Sequence, residues 1–420
     1  MSKYLKSQKA RFGSAGGKLS RSICFAVATA GAALFTSASH ADFYISSFGT
    51  NQLMRFYEIN GAFLGVVAEV NGPFASQIGF AGDLFVSSHN TGEVLRFDSI
   101  TGAPKGVFIK AHAGGLTNPT APNFGPDGKV YVGDLASNRV LRYDRNGKFL
   151  DVFADGVTSD LNGPFMMTFD DKTMFIASGY TNSILRYDLK TKEYMGAFAA
   201  PGTGGMSVPV GLEFGPDGNL YTSSSSSDEV LRFDGKTGEF IDKFVPAGSG
   251  GMSSPRAIRF GGPNTDLYVI SLNTNEVLQF DRETGEFIRA VATAAESGMS
   301  KSRGLTFTPR PELFVYADVR GHKHPHHGRR AFKQVDIDSR VKDFVDRSPK
   351  IKLVSITSSD ASVNIDEAVK GARYGKEDYH FKLDFTNTSG MEQKYTITYT
   401  ATNKDGMSSI ATTTVPVPVN

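Results

Sequence analysis

The sequence predicts an all-β protein in which a six- or seven-bladed β-propeller is followed by a small β-sandwich. Three observations predict this fold: a short phrase that recurs along the chain, a strand–turn–strand pattern around each copy, and longer alternating strands after residue 347. The phrase has the form apolar–Leu–Arg–aromatic–Asp, with small variations. Its copies begin at residues 53, 94, 140, 184, 230 and 277.

The spacing of these copies predicts the blades. They lie 41 to 47 residues apart, and a period in the forties built from strands is typical of propeller blades. A second strand precedes each copy, as at residues 84–86, and a turn such as 236–238 leads to a further strand. Before the second strand comes a first strand that ends in phenylalanine: Phe80, Phe124, Phe169, Phe214, Phe260 and Phe307. Four strands joined by hairpins make one blade.

The sequence is compatible with two blade counts. Residues 313–316 look like a seventh copy of the second strand, and residues 332–336 like a decayed third strand, so we favour seven. The alternative is six blades, with the strand at 305–308 completing blade one. The propeller is then expected to occupy residues 42–346 and the sandwich residues 347–420, where Thr, Tyr, Val and Ile alternate with polar residues.

Residues 1–41 have the layout of a secretory signal peptide. Basic residues without acidic ones precede an apolar run at 23–35, and a small-residue cleavage motif follows at 39–41. That run is too short to cross a bilayer comfortably. We therefore expect export to the periplasm or the cell exterior, with no transmembrane segment in the mature chain.

The repeats resemble NHL-type propellers and the wider group that contains streptogramin lyases and gluconolactonase-like lactonases. The strands of residues 395–417 resemble bacterial immunoglobulin-like modules, which implies a spacer or adhesive role. The lactonase resemblance implies a divalent cation held by Glu, Asn and Asp, and the lyase resemblance implies a histidine and an acidic residue with Mg²⁺. Candidates in this sequence are His89, Asp134 and Asn162.

The ends of the second strands form a column at one end of the predicted channel: Ser47, Ser88, Asp134, Ser178, Ser224 and Ser271. These side chains predict either a polar ring that binds a ligand, with Ser88 and Asp134 as candidates, or small residues that bond backbone where blades converge. His89 follows Ser88 and is a candidate base or ligand.

The starts of the first strands form a second column: Ser76, Thr120, Phe165, Val210, Arg256 and Arg303. Arg256 and Arg303 predict an anion-binding corner for a carboxylate, phosphate or sulfated sugar, or else are surface arginines at a loop. The arginines of the repeated phrase are expected to be scaffold residues that pair with an aspartate of a neighbouring blade.

A histidine cluster at His322, His324, His326 and His327 is the most unusual local feature. Clustered imidazoles can bind Zn²⁺, Cu²⁺ or Ni²⁺, and the alternative is a solvated basic loop. Any cofactor is expected to be a divalent cation (Ca, Mg or Zn), although no cofactor is the simpler expectation.

Composition narrows the functional classes. The 420 residues contain 40% hydrophobic and 21% charged residues, which is globular, and the formal charge of +2 does not favour nucleic-acid binding. One cysteine excludes a disulfide framework. The sequence favours an exported scaffold that binds a protein, peptide or glycan without catalysis. The alternative is a metal-dependent lactonase or lyase at the channel mouth.

Overall fold

Six four-stranded antiparallel sheets of one topology make up residues 42–308 of the computed structural model. The structure describes residues 42–262, 264–308, 312–320, 332–342, 349–360, 362–386, 393–402 and 408–417. In every sheet the four strands run antiparallel in the order first, second, third and fourth. The first strands contact one another in a closed ring, which places them around a central channel. This arrangement is a β-propeller, as the sequence predicts.

The strands of the blades have the following bounds. Blade one contains β1 (Asp42–Ser47), β2 (Gln52–Tyr57), β3 (Phe63–Glu69) and, as its first strand, β24 (Ser302–Phe307). Blade two contains β4 (Pro73–Ile78), β5 (Leu84–Ser88), β6 (Glu93–Phe97) and β7 (Pro104–Ile109), and blade three contains β8 (Pro119–Phe124), β9 (Val130–Asp134), β10 (Arg139–Tyr143) and β11 (Phe149–Asp155).

Blade four contains β12 (Pro164–Phe169), β13 (Thr173–Ser178), β14 (Ser183–Asp188) and β15 (Tyr194–Ala199). Blade five contains β16 (Pro209–Phe214), β17 (Leu220–Ser224), β18 (Glu229–Phe233) and β19 (Phe240–Val245), and blade six contains β20 (Pro255–Gly261), β21 (Asp266–Ser271), β22 (Glu276–Phe280) and β23 (Phe287–Thr293). Short 3-10 turns lie at Phe48–Thr50, Phe80–Gly82, Ala113–Gly115, Gly179–Thr181, Thr203–Gly205 and Ser249–Gly251, and a one-turn helix α1 at Ala294–Ser297.

Blade one is assembled from both ends of the propeller. Strand β24 pairs antiparallel with β1, with Leu305 opposite Ile45. The Thr308 hydroxyl extends this junction, because it accepts the Asp42 N–H at 2.9 Å and donates to the Asp42 carbonyl at 3.1 Å. These strands follow the six-blade alternative of the sequence analysis.

The seventh unit that we favoured from the sequence is not a blade among the described residues. Strand β25 (Glu312–Arg320) pairs with β26 (Phe332–Lys342), and β26 pairs with β29 (His380–Asp384). Their resemblance to blade strands came from alternation alone, which any half-buried strand has. The C-terminal sheet therefore begins before the 346/347 boundary expected from the sequence.

The C-terminal part contains two sheets. One is β25, β26, β29 and the short β28 (Val369–Lys370), and the other is β27 (Lys350–Ser358), β30 (Gln393–Thr402) and β31 (Ser408–Val417); a one-turn helix α2 lies at Ile365–Ala368. Val335 and Leu383 of the first sheet share a buried cluster with Leu353, Ile397 and Tyr399 of the second. Two sheets that enclose a common core form a β-sandwich. No helix among the described residues is long and apolar enough to span a bilayer.

The recurring phenylalanine joins neighbouring blades. In five blades an aromatic ring on the second strand contacts the phenylalanine at the end of the next blade's first strand, with ring centroids 4.8 to 5.4 Å apart. The pairs are Phe85–Phe124, Tyr131–Phe169, Phe175–Phe214, Tyr221–Phe260 and Tyr268–Phe307. In blade two the equivalent position is Ile78, which packs with Tyr44, whereas Phe80 lies in the following turn.

The recurring arginine stabilises its own blade. Arg55 pairs with Asp42 in blade one, and Arg142 pairs with Asp151 at 2.6 Å in blade three. Both aspartates lie on strands adjacent to the arginine's strand, so the expected pairing with a neighbouring blade is wrong. Register explains the difference, because Asp151 lies directly opposite Arg142 in the ladder.

Ring closure should depend on the core residues of β24. We expect Leu305→Ala, which removes a fully buried side chain, to lower the free energy of unfolding by about 2–5 kcal/mol. The matched control is Leu64→Ala on outer strand β3, where the side chain is 43% exposed, and its cost should stay below about 1 kcal/mol. Urea unfolding followed by circular dichroism measures both. Equal losses would contradict the role of β24 in closing the ring.

Candidate functional site

The column at the second-strand ends forms a repeated loop structure. All six members are buried, and each accepts a hydrogen bond of 2.5–2.8 Å from a Ser or Thr hydroxyl three residues later. Most of them also accept a backbone N–H from the loop that leads into the first strand, as Ser178 does from Asn162 at 3.0 Å. The column therefore fixes the loops around the channel mouth.

Asp134 occupies one place in this column. Its carboxylate accepts the Asn118 N–H at 2.6 Å, the Ser137 hydroxyl at 2.5 Å, and both the N–H and the hydroxyl of Thr117. Ser88 similarly donates to the Asn71 carbonyl at 2.8 Å. Within the described structure, Asp134 and Ser88 therefore contact their own loops.

The side chains that line the mouth come from the second residue of each first strand. Proline begins five of the six strands, and the residue after it occupies equivalent positions in the ring. The set is Phe74, Thr120, Phe165, Val210, Arg256 and Arg303. Blade two contributes Phe74 and not Ser76, which lies two residues further along and bonds the Thr306 hydroxyl at 3.0 Å.

Arg303 lies between aromatic rings at this mouth. Its guanidinium carbon is 4.1 Å from the centroid of Phe48 and 4.9 Å from that of Phe74. Burial lowers the pKa of Arg303 to about 10, and the nearby charge of Arg256 adds to this effect. The group stays protonated at neutral pH, so it is a half-buried cation beside a second cation.

Neither arginine of this pair has an acidic partner among the described residues. The Nε atoms of Arg256 and Arg303 are both inaccessible to solvent and without a hydrogen-bond partner. Burial also lowers the pKa of Arg256. Desolvated donors without partners are costly, so the two half-buried guanidinium groups are a candidate site for an anion.

His89 completes the mouth beside these arginines. Its ring stacks on Phe74 with centroids 5.2 Å apart, and Nδ1 lies 3.0 Å from the Pro119 carbonyl oxygen. That contact is a hydrogen bond only if Nδ1 carries the proton, which leaves Nε2 as an acceptor. Burial, followed by the charge of Arg303, lowers the pKa of His89. The imidazole is therefore neutral at pH 7.

The structure brings together three of the predicted site residues, His89, Arg256 and Arg303, around an aromatic surface. That surface continues from Phe74 to Phe165, at 6.3 Å between centroids, and from Phe165 to Tyr180, which is 58% exposed. The four histidines at 322–327 lie outside the described residues. Among the residues that are described, no group of three His, Cys, Asp or Glu side chains could hold a metal ion.

The sequence analysis missed a second ring deeper in the channel. The residue before the recurring aromatic or Ile78 is polar in every blade: Gln77, Asn123, Thr168, Glu213, Arg259 and Thr306. This signal could have been read from the sequence, because a strand buried on both faces would be apolar at this position as well. The ring therefore marks a polar channel wall.

Three members of this ring are joined by a bridge. The Arg259 guanidinium donates to Gln77 Oε1 at 2.8 Å and lies 3.6 Å from Glu213 Oε2. Blade one stands between blades six and two, so the arginine extends past Thr306 to reach Gln77. Burial raises the pKa of Glu213 to about 7, opposed by Arg259.

Comparison with known proteins shows the class of fold. A nidogen/laminin complex structure is similar with a TM-score of 0.52 and 12% identity over 64% of this chain and 98% of that one. A protein of unknown function from Bacteroides caccae gives 0.51 and 12%, over 64% and 99%. Virginiamycin B lyase from Staphylococcus aureus gives 0.45 and 17%, over 62% and 88%.

The first two similarities agree with the β-propeller fold and extend no further than the fold. No family model matches the sequence. No curated protein matches it either. The function must therefore be argued from the side chains at the channel.

Loss of the half-buried Arg303 charge, which has no acidic partner among the described residues, should stabilise the protein when no anion is bound. We expect Arg303→Met to raise the free energy of unfolding by about 0.5–2 kcal/mol in low-salt buffer, because desolvation of the guanidinium is relieved. Adding sulfate should stabilise the wild type more than the variant, because specific binding adds to the general stabilisation by sulfate that both proteins share. Urea titrations with and without sulfate measure this. Arg186→Met, at the phrase arginine of blade four, is the charge-matched control; it should not raise the free energy of unfolding and should keep the wild-type response to sulfate.

Glu213 should make stability depend on pH. Its folded pKa of about 7 exceeds the ordinary glutamate value of 4.5, so the folded state binds the proton more tightly than the unfolded state. The contribution of Glu213 to the free energy of unfolding is therefore greatest below pH 4.5 and falls as pH rises towards 7. Glu213→Gln should remove this decline. Thermal unfolding between pH 4.5 and 8 tests it, and an unchanged slope in the variant would contradict it.

Proposed function

We propose that the propeller is a binding domain that receives an anionic group at the channel mouth. The observation that supports this is the pair Arg256 and Arg303, whose Nε atoms are buried without partners. A carboxylate, phosphate or sulfate would supply acceptors for these donors in the planar geometry that guanidinium groups favour. The flanking rings of Phe48 and Phe74 would position a planar or apolar part of the same ligand.

The ligand would be a carboxylated or sulfated group on a peptide, protein or glycan. The signal-peptide pattern of residues 1–41 supports export to the periplasm or cell exterior, where such partners occur. The C-terminal sandwich would then act as a spacer, as its immunoglobulin-like pattern suggests. A lactonase or lyase would need a free acid near His89, and the Asp134 carboxylate is instead occupied by donors of its own loop.

Titration with simple anions tests the proposal. Isothermal calorimetry of the mature chain with sulfate, phosphate, benzoate and glucuronate should give saturable binding to one of them. Arg256→Met/Arg303→Met should weaken that binding at least 10-fold, because each charged hydrogen bond contributes about 1.5–3 kcal/mol. Binding should also weaken as salt rises.

The control is the single variant Arg186→Met, which changes charge away from the mouth and should bind as the wild type does. Equal binding by wild type and the double variant would refute the proposal. Hydrolysis or elimination of a lactone substrate, abolished by Asp134→Ala, would favour the enzyme alternative.

A further inference from the structure

A cavity of about 800 Å³ lies at the opposite end of the channel from the arginine pair. Its lining comes from the ends of the first strands in blades one to four and from the turns that follow them. The volume falls within the range of roughly 300–1,000 Å³ that small-molecule sites occupy. None of the residues discussed at the mouth contributes to it.

The bridge in the polar ring lies along the channel between its two ends. Gln77 lines the cavity and accepts the hydrogen bond from Arg259, which in turn lies beside Glu213. This contact pairs the Arg259 guanidinium with the Glu213 carboxyl group, and neither of these two residues lines the cavity. The cavity floor therefore offers neutral polar groups and not a free ion.

Those neutral groups have unused hydrogen-bonding capacity. Asn123 donates to the Ala121 carbonyl at 2.8 Å, which leaves its side-chain oxygen as an acceptor. The Thr168 hydroxyl forms no hydrogen bond with a described residue, and it can donate and accept. Both side chains line the cavity. A ligand that reaches the cavity floor would therefore form hydrogen bonds with these uncharged side chains.

The walls are aromatic and the rim carries both signs of charge. Phe80, Phe124, Phe169 and Phe307 line the cavity. At the rim, the exposed Arg145 lies over the Phe80 ring at 5.4 Å, and Asp170 and Asp171 also line the opening. Apolar walls with a neutral polar floor suit a ligand that has hydroxyl groups around its edge and C–H groups on its faces.

We propose that this cavity is a second binding site, distinct from the anion site, and that it takes a neutral sugar. A pyranose ring presents C–H faces to aromatic side chains and hydroxyls to amides and hydroxyls. The Asn123 and Thr168 side chains contact the hydroxyls, and the phenylalanines contact the ring faces. The proposal is independent of the anion site, because the two sites share no residue.

Calorimetry of the mature chain with glucose, galactose, mannose, N-acetylglucosamine, maltose and cellobiose tests this site. At least one sugar should bind saturably. Thr168→Val, which keeps the shape and removes the hydroxyl, should weaken that binding about 3- to 10-fold. Thr168→Trp, which fills the cavity, should abolish it. Arg303→Met at the other end should leave it unchanged.

The failures are distinguishable. No binding by any of these sugars, or equal binding by the wild type and Thr168→Val, overturns the proposal, and the valine variant remains informative if the tryptophan variant does not fold. Binding of glycine or lysine in place of sugars would assign the cavity to a zwitterion through Arg145 and the aspartates. Loss of sugar binding in Arg303→Met would move the sugar to the mouth.

Discussion

The contact between an aromatic ring of one blade and the phenylalanine of the next is the interaction on which the propeller depends. Each blade is a small sheet with two apolar faces, and a single repeat cannot bury these faces alone. The aromatic pairs cover these faces at a nearly constant distance in five interfaces. The angle between blades, and hence the width of the channel, follows from this packing.

The sequence predicted the scaffold because the scaffold is repeated. The arginine phrase and the phenylalanine occur at equivalent positions in several blades and at a regular spacing. A strand assignment made in one blade therefore applies to the others. The seventh unit was mistaken because residues 313–316 and 332–336 carry the same alternation, and alternation does not say which strand is the partner. Strand β26 pairs with β29 as well as with β25, and no local sequence pattern predicts the pairing with β29.

The candidate sites were harder to predict because they consist of exceptions to the repeat. Arg256 and Arg303 were found as irregular members of a column, but Phe48 and Tyr180 come from loops whose proximity depends on the closed ring. The polar ring was overlooked because its members differ in charge and size, and only their shared register relates Gln77 to Glu213. The side chains from which we propose a function are those that vary while the backbone repeats.

The pairing of β24 with β1 has a consequence for how the molecule is made. The sheet of blade one cannot be completed until residue 307 has been synthesised, so strand β1 keeps an open edge through most of translation. Contacts that join residues so distant in the chain form late and slowly. An unpaired edge held open for that time is a place where a second chain could add its own strand. The same pairing also brings the two ends of the propeller together, so moving the start of the chain to a loop between other blades would preserve every sheet.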